Sequence, residues 1–395
     1  MDVQLSHRVN SIKPSPTLAV TNRAAELRAA GQNIIGLGSG EPDFDTPDHI
    51  KQAAIDALNQ GFTKYTAVDG TPALKKAIIA KFERENGLKY EANQILVSCG
   101  GKQSFFNMAL ALLNPGDEVI IPAPYWASYP DMVLVAEGKP VILTTTQEQR
   151  FKITPEQLDA AITPRTRLVV LNSPSNPTGV AYSRDELKAL GEVLARYPDV
   201  LIATDDMYEH IRFTGQPFCN IVNACPELQE RTIVLNGVSK AYSMTGWRIG
   251  YAAGPAKLIG AMKKIQSQST SNPTSIAQVA AQAALEGPQE CVADMVKAFK
   301  ERHDFVVSAL NAIDGVDCIA ADGTFYAFPS FQQVIDARPE FSDDVALAEY
   351  LLTEAGVALV PGSAFGAPGN MRLSFATSMD VLEDAIARIA KALAS

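Results

Sequence analysis

Between Gln94 and Gly254 the chain alternates two textures. Short, almost purely apolar runs come first: QILVS, DEVIIP, PVILT, RLVVLN, VLIATDD, TIVLN and IGYAAG. Strands this continuously apolar are covered on both faces, which predicts an α/β sheet. Between most of them lie stretches such as SFFNMALALL and SRDELKALGEVLARY, whose apolar residues recur at helical spacing.

Ahead of this region the pattern is helical. Thr17 to Ala30 reads as a helix that Gly31 stops. The next predicted helix has Thr46 as N-cap, Pro47 at its first position and Gly61 beyond its end, and Thr71 to Gly87 repeats that grammar. After about Gly287 the texture changes. A long helix, QECVADMVKAFKERHDFVVSALNAI, leads to the shorter strands VDCIAA, FYAFP, VALVP and NMRLSFA. The expectation is a large α/β domain over residues 48–287, with residues 1–47 and 288–395 combining into a smaller α+β domain.

Composition narrows the function. With 395 residues, 47% of them apolar, a globular fold with a sizeable core is expected. The net charge of −10 is spread without a basic block, which argues against nucleic acid as partner. The five cysteines are scattered, odd in number and without a CxxC, as suits reduced thiols in a cytoplasmic protein. The four histidines lack metal-ligand spacing, so no metal is expected. MDVQLSHRVNSIKPS has no apolar core of a secretory signal, and no apolar run approaches a membrane span.

The candidate chemistry centres on VLNGVSKAYSMTGWRIGYAAGP. Lys240 follows a predicted strand among small residues that let another group approach. An ordinary lysine there would snorkel to the surface. A desolvated one has a lowered pKa and condenses with an aldehyde. Arg248, read alone, suits an ion pair; beside such a lysine it suits a phosphate. The glycines of CGGKQ precede a helix start, whose amides bind phosphate. Asp205 ends a predicted strand, where α/β sheets place ligands, with Tyr208 three residues on. Asp205 and Asp206 could equally just favour a helix start, and Asn176 in NSPSNPTG could be a turn former.

Taken together, KPSPTLAV, GEPDFDTP, TKYTAVDG, GGKQ, PAPYWASYP, NSPSNPTG, TDDMYEH, SKAYSMTGWRIGYAAGP and MRLSFAT resemble the class I aminotransferases, pyridoxal-phosphate enzymes of fold type I, in the prokaryotic aspartate aminotransferase subgroup Iβ. The resemblance spans nearly the whole chain. It implies a homodimer with shared active sites and ping-pong transfer between an L-amino acid, aspartate first, and a 2-oxo acid such as 2-oxoglutarate. It makes Lys240 the cofactor-linked general acid–base, Asp205 the partner of the pyridine nitrogen and Tyr208 that of the ring hydroxyl. Trp126 stacks on the ring, while Gly101, Lys102 and Arg248 hold the phosphate. Tyr65 reaches the neighbouring subunit's phosphate. Arg372 grips the substrate α-carboxylate, helped by Asn176 and the backbone at Gly40.

Two positions depart from relatives. Gly237 stands where many carry a phosphate-binding serine, and QSQSTSNPTS has no arginine for a distal carboxylate. That task passes to Lys102, with Ser15 and Lys13 as helpers, and opens prephenate or aromatic substrates as alternatives. Another fold-type I enzyme, such as a C–S lyase or decarboxylase, would keep Lys240 and Asp205. A non-catalytic binding protein would have no reason to keep the whole set.

Overall fold

The computed structural model describes residues 3–394. A two-residue strand, β1 (Ile35–Gly36), precedes the main sheet. The seven apolar runs then become β2 (Ile95–Ser98), β3 (Glu118–Ala123), β4 (Lys139–Thr144), β5 (Thr166–Asn172), β6 (Leu201–Asp205), β7 (Thr232–Gly237) and β8 (Gly250–Ala253). They form one sheet in the order β2-β8-β7-β6-β5-β3-β4. β8 pairs antiparallel with both β2 and β7, and the other neighbours are parallel.

Side chains alternate across the sheet as strand geometry requires. Ile95, Val97, Val169, Leu171, Ile202 and Val234 pack on one face. Leu96, Leu168, Val170, Ala203, Ile233 and Leu235 pack on the other. Each is essentially dry, which is why the strands read as unbroken apolar runs. Full burial of such a side chain contributes roughly 1.5–3 kcal/mol.

A separate core surrounds the helix Glu290–Asn311, from which Met295, Phe299, Val306 and Leu310 face Phe325, Leu373 and Phe375. Here the strands are short: β9 (Tyr326–Ala327), β10 (Val357–Ala358), β11 (Val360–Pro361) and β12 (Met371–Ser374). β12 lies between β11 and β9, and β10 pairs parallel with β1. Leu37 and Tyr208 also enter this core, so it meets the sheet beside the end of β6.

Two sequence expectations need correction. Thr46 does not cap the helix Asp48–Asn59; the N-cap is Pro47, which makes no side-chain cap bond. The Thr46 hydroxyl instead donates to the Ser243 carbonyl and accepts from Trp247 Nε1. VDCIAA forms no strand. Its amides are satisfied elsewhere, Cys318 N–H by the Asn311 side chain and Ala321 N–H by His303 Nε2, leaving only an isolated bridge from Asp317 to Ser330. The helix Pro72–Lys81 does begin at a Thr71 cap, and Gly87, at φ 66°, closes the wider turn Phe82–Asn86 that continues it. Among the described residues no helix is long and apolar enough to cross a membrane.

Candidate active site

A cleft of about 310 Å³ opens at the C-terminal ends of the strands. Asp205 is the last residue of β6, and Lys240 lies three residues past β7. Around them stand Ser15, Gly40, Gly101, Lys102, Trp126, Asn176, Tyr208, Arg248 and Arg372. The structure thus gathers residues from both cores, up to some 350 positions apart, into one cavity.

Lys240 is enclosed at the floor. Its Nζ donates to the Gly40 carbonyl, and no carboxylate touches it among the described residues. Burial, then the charge of Arg372, lowers its pKa to about 8. Asp205 accepts from the Tyr129 hydroxyl and from Met207 N–H. Burial raises its pKa, while those bonds and the charge of Lys240 oppose the rise. Asp206 points the other way, bonded to Thr204 and Asn220, and does not line the cleft. The geometry therefore separates the two neighbours that the sequence left ambiguous. Tyr208 Oη lies 3.1 Å from Tyr326 Oη, and burial keeps its phenol well above its ordinary pKa.

Arg372, on β12, is 2% exposed. Its Nη1 donates to Asn176 Oδ1 and its Nη2 to the Gly38 carbonyl, each at 2.8 Å. Nε is buried without a hydrogen-bond partner. The guanidinium lies 4.4 Å from the Tyr326 ring centroid, which holds its plane.

Arg248 approaches the loop that precedes the helix Gly101–Leu112, with Nη2 3.4 Å from the Cys99 carbonyl. Gly100 has φ 88°, and a Cβ there would lie 2.4 Å from Arg248 Nη2. Only glycine leaves room for guanidinium and helix start to face one anion. Lys102 Nζ stands 5.1 Å from the Trp126 ring centroid, and burial, then the charge of Arg248, lowers its pKa.

Two candidates fall outside the cleft. Tyr65 is 91% exposed and does not reach the cavity of its own chain. Lys13 lines an adjoining groove of about 550 Å³, which Ser15, Lys102 and Arg248 also border. Tyr129, Ser239 and Tyr326 also stand at the site, though no sequence motif singles them out. Tyr129 and Tyr326 look like ordinary core aromatics in PYWASYP and FYAFP. Ser239 had a signal: it adjoins Lys240 and lines the cleft, whereas Gly237 is packed against the backbone of Gly250 and Ile249.

Comparison with known proteins agrees with this geometry. The family model for aminotransferase class I and II matches residues 32–389. The aspartate/prephenate aminotransferase of Nitrosomonas europaea is 64% identical, over 99% of this chain and 100% of that protein. The crystal structure of the aspartate aminotransferase from Rhizobium meliloti superposes with a TM-score of 0.96 at 52% identity, covering 100% of this chain and 99% of that one. The Thermus thermophilus aspartate aminotransferase with maleate gives 0.93 at 44% identity, covering 99% and 100%. The chain belongs to the class I and II aminotransferases.

Proposed function

We propose that this aminotransferase moves the amino group of aspartate to 2-oxoglutarate in two half-reactions, with pyridoxal 5'-phosphate as carrier. One observation carries the reading: an enclosed lysine without a bonded carboxylate faces a cleft that also holds a half-buried aspartate and two arginines. The names of the relatives support aspartate as donor.

The residues present fit that cofactor. The Gly100–Gly101 turn and Arg248 form a cradle a side chain would fill, suited to a phosphate. Asp205 suits a protonated ring nitrogen, the neutral Tyr208 phenol a ring oxygen, and Trp126 a ring face. When bound, the cofactor supplies an aldehyde that takes up the amino group and a ring that withdraws electron density from the substrate. Lys240, its pKa lowered to about 8, would carry the proton from the substrate Cα to the cofactor's aldehyde carbon within one half-reaction and in the opposite direction in the other. Asp205 would favour a proton at the ring nitrogen through its charge. Arg372 orients the α-carboxylate, its guanidinium held in place by Asn176, the Gly38 carbonyl and the Tyr326 ring.

The distal carboxylate of aspartate falls to Lys102, with Ser15 and Lys13 at the mouth. The enzyme works as a cytoplasmic homodimer in which Tyr65, too exposed to serve its own cleft, completes the neighbour's. Residues 48–287 form the cofactor-binding domain, and 1–47 with 288–395 the smaller one that closes on the substrate. Prephenate is the second reading, supported by the Nitrosomonas europaea relative's name and by the roomy groove beside Lys102.

The test is kcat/KM for aspartate and phenylalanine. Lys102→Ala should weaken aspartate use by about 1.5–3 kcal/mol, the worth of a bond to a charged group, and spare phenylalanine. Arg372→Ala should impair both. Equal losses in Lys102→Ala would assign that lysine to the cofactor phosphate instead.

A further inference from the structure

Beneath the cleft floor lies a second set of charged groups that the reaction does not use. Glu209, 4% exposed, immediately follows Tyr208. Its Oε1 accepts from Lys81 Nζ and, at 2.7 Å, from Asn236 Nδ2; its Oε2 accepts from Asn86 Nδ2 at 2.7 Å. Lys81 is wholly buried and also bonds Asn86 Oδ1 at 2.8 Å. Glu85, Glu209 and His210 bring ligand atoms within 4.8 Å of one another, a grouping that would suit a cation. The Lys81 ammonium already stands among them, against Glu209 and 3.6 Å from Glu85.

The bond to Asn236 gives this pair a reach beyond its own charge. Asn236 is the penultimate residue of β7, and its Oδ1 accepts from Gly237 N–H at 2.7 Å. Glu209 N–H in turn bonds the Asp206 carbonyl. One carboxylate therefore grips the turn that carries Asp205 and Tyr208 and, through one amide side chain, the strand end that leads to Lys240. Lys81 and Asn86 anchor it from a third direction, the end of the helix Pro72–Lys81 and the turn after it.

We propose that Glu209 is a positioning residue whose buried carboxylate clamps the end of β6 to the end of β7, fixing where Asp205 and Tyr208 stand relative to Lys240. The proposal rests on the roles given above to Asp205 and Lys240. A purely stabilising ion pair can be replaced by apolar side chains of similar volume at little cost. A clamp cannot, because methionine has no acceptor for Asn236.

The test uses the cofactor-loaded enzyme in two variants. Lys81→Met/Glu209→Met removes both charges together. Asn236→Ala cuts the link and leaves the Lys81–Glu209 pair in place. Both should lower kcat by roughly 10–100-fold, the scale of an ångström of misplacement. KM for aspartate should stay within about threefold, because Arg372 sits on β12, outside the clamp. The pH midpoint of the cofactor's absorbance should shift by about half a unit or more, since the charges around it move. Should the double variant fail to fold, Asn236→Ala decides alone. Wild-type kcat with an unmoved midpoint in Asn236→Ala, or in a folded double variant, overturns the clamp. Lys240→Ala run alongside separates the two readings. If it keeps turnover, the assigned roles fall. If it is dead while Asn236→Ala is fully active, only the clamp falls.

Discussion

Lys81 and Lys240 are both taken out of water, and the difference between their surroundings separates structure from chemistry. Lys81 is packed in the core under the sheet, against Glu209, Asn86 and Glu85. Its charge is matched, so the desolvation cost is offset by its partners. Lys240 bonds only a backbone carbonyl and lies 5.9 Å from the Phe325 ring centroid, with Arg372 and Arg248 opposing its charge and the more distant Glu41 and Asp205 favouring it. No carboxylate bonds it, burial and Arg372 outweigh the distant carboxylates, and the amine gives up its proton more easily than a free lysine. Burial alone says nothing of function; burial without a counter-ion, beside a cavity, does.

That contrast can be broken by experiment. Lys240→Ala should lower kcat by roughly 10²–10⁴, the span attributed to a general acid–base, with the urea midpoint at or above wild type. Lys81→Ala should act first on the fold, and on kcat only through the Glu209 clamp that it loosens. It leaves Glu209 buried with its cation gone and should cost about 3–5 kcal/mol of stability in urea unfolding. If Lys81→Ala unfolds no more readily than Lys240→Ala, the two sites are not different in the way described.

A third test uses pH. In the cofactor-free protein the folded state releases the Lys240 proton near 8, whereas an unfolded lysine keeps it to 10.5. Between those values the unfolded chain holds more protons, so the native state gains stability as pH rises. Below pH 8 the enclosed charge costs about 3 kcal/mol, from 1.36 kcal/mol per unit. Cofactor-free Lys240→Met should therefore have its greatest advantage over wild type below pH 8, and that advantage should shrink from pH 8 to 10.5. A gap independent of pH would mean that Lys240 is solvated as an ordinary surface lysine. The smallest effect is expected from Tyr326→Phe. It removes one neutral hydrogen bond to Tyr208, worth about 0.5–1.5 kcal/mol, and should lower kcat up to roughly tenfold without touching the fold.

The same contrast explains what could be read from the sequence. The inner strands were legible because a strand buried on both faces writes itself as a continuous apolar run; β4, the half-exposed edge strand, was legible from PVILT alone. VDCIAA was not a strand because side chains of Asn311 and His303, placed by the preceding helix, bond its amides first. Thr46 looked like a cap because a threonine before a proline and an amphipathic run is a good local signal; a tertiary bond to Ser243, 197 residues away, took its hydroxyl. Lys240, Asp205, Tyr208, Arg248 and Arg372 were found through short motifs in order along the chain. Lys81 in ALKKAIIAKF reads as one more solvated helix lysine, because the carboxylate that receives it lies 128 residues away. Tyr129 and Tyr326 were hidden for the same reason, their partners being fixed by the fold and not by spacing.

The reversed strand β8 has one more consequence. It begins two residues after Arg248 and pairs Gly250 with both Ser98 of β2 and Gly237 of β7. Its reversal returns the chain to the edge it left at β7, so Lys240, Arg248 and the Gly101 helix start are joined through one short excursion and one sheet. Arg372 and Gly40 reach the same cleft from outside that sheet. A shift of the outer core as a unit would alter the gap between Arg372 and Lys240 and leave the span from Lys240 to Arg248 unchanged. On the proposed reading the grip on the substrate and the seat of its carrier belong to different cores, joined across the cleft by the Lys240–Gly40 and Tyr208–Tyr326 bonds, so such a shift would be felt first at those two bonds.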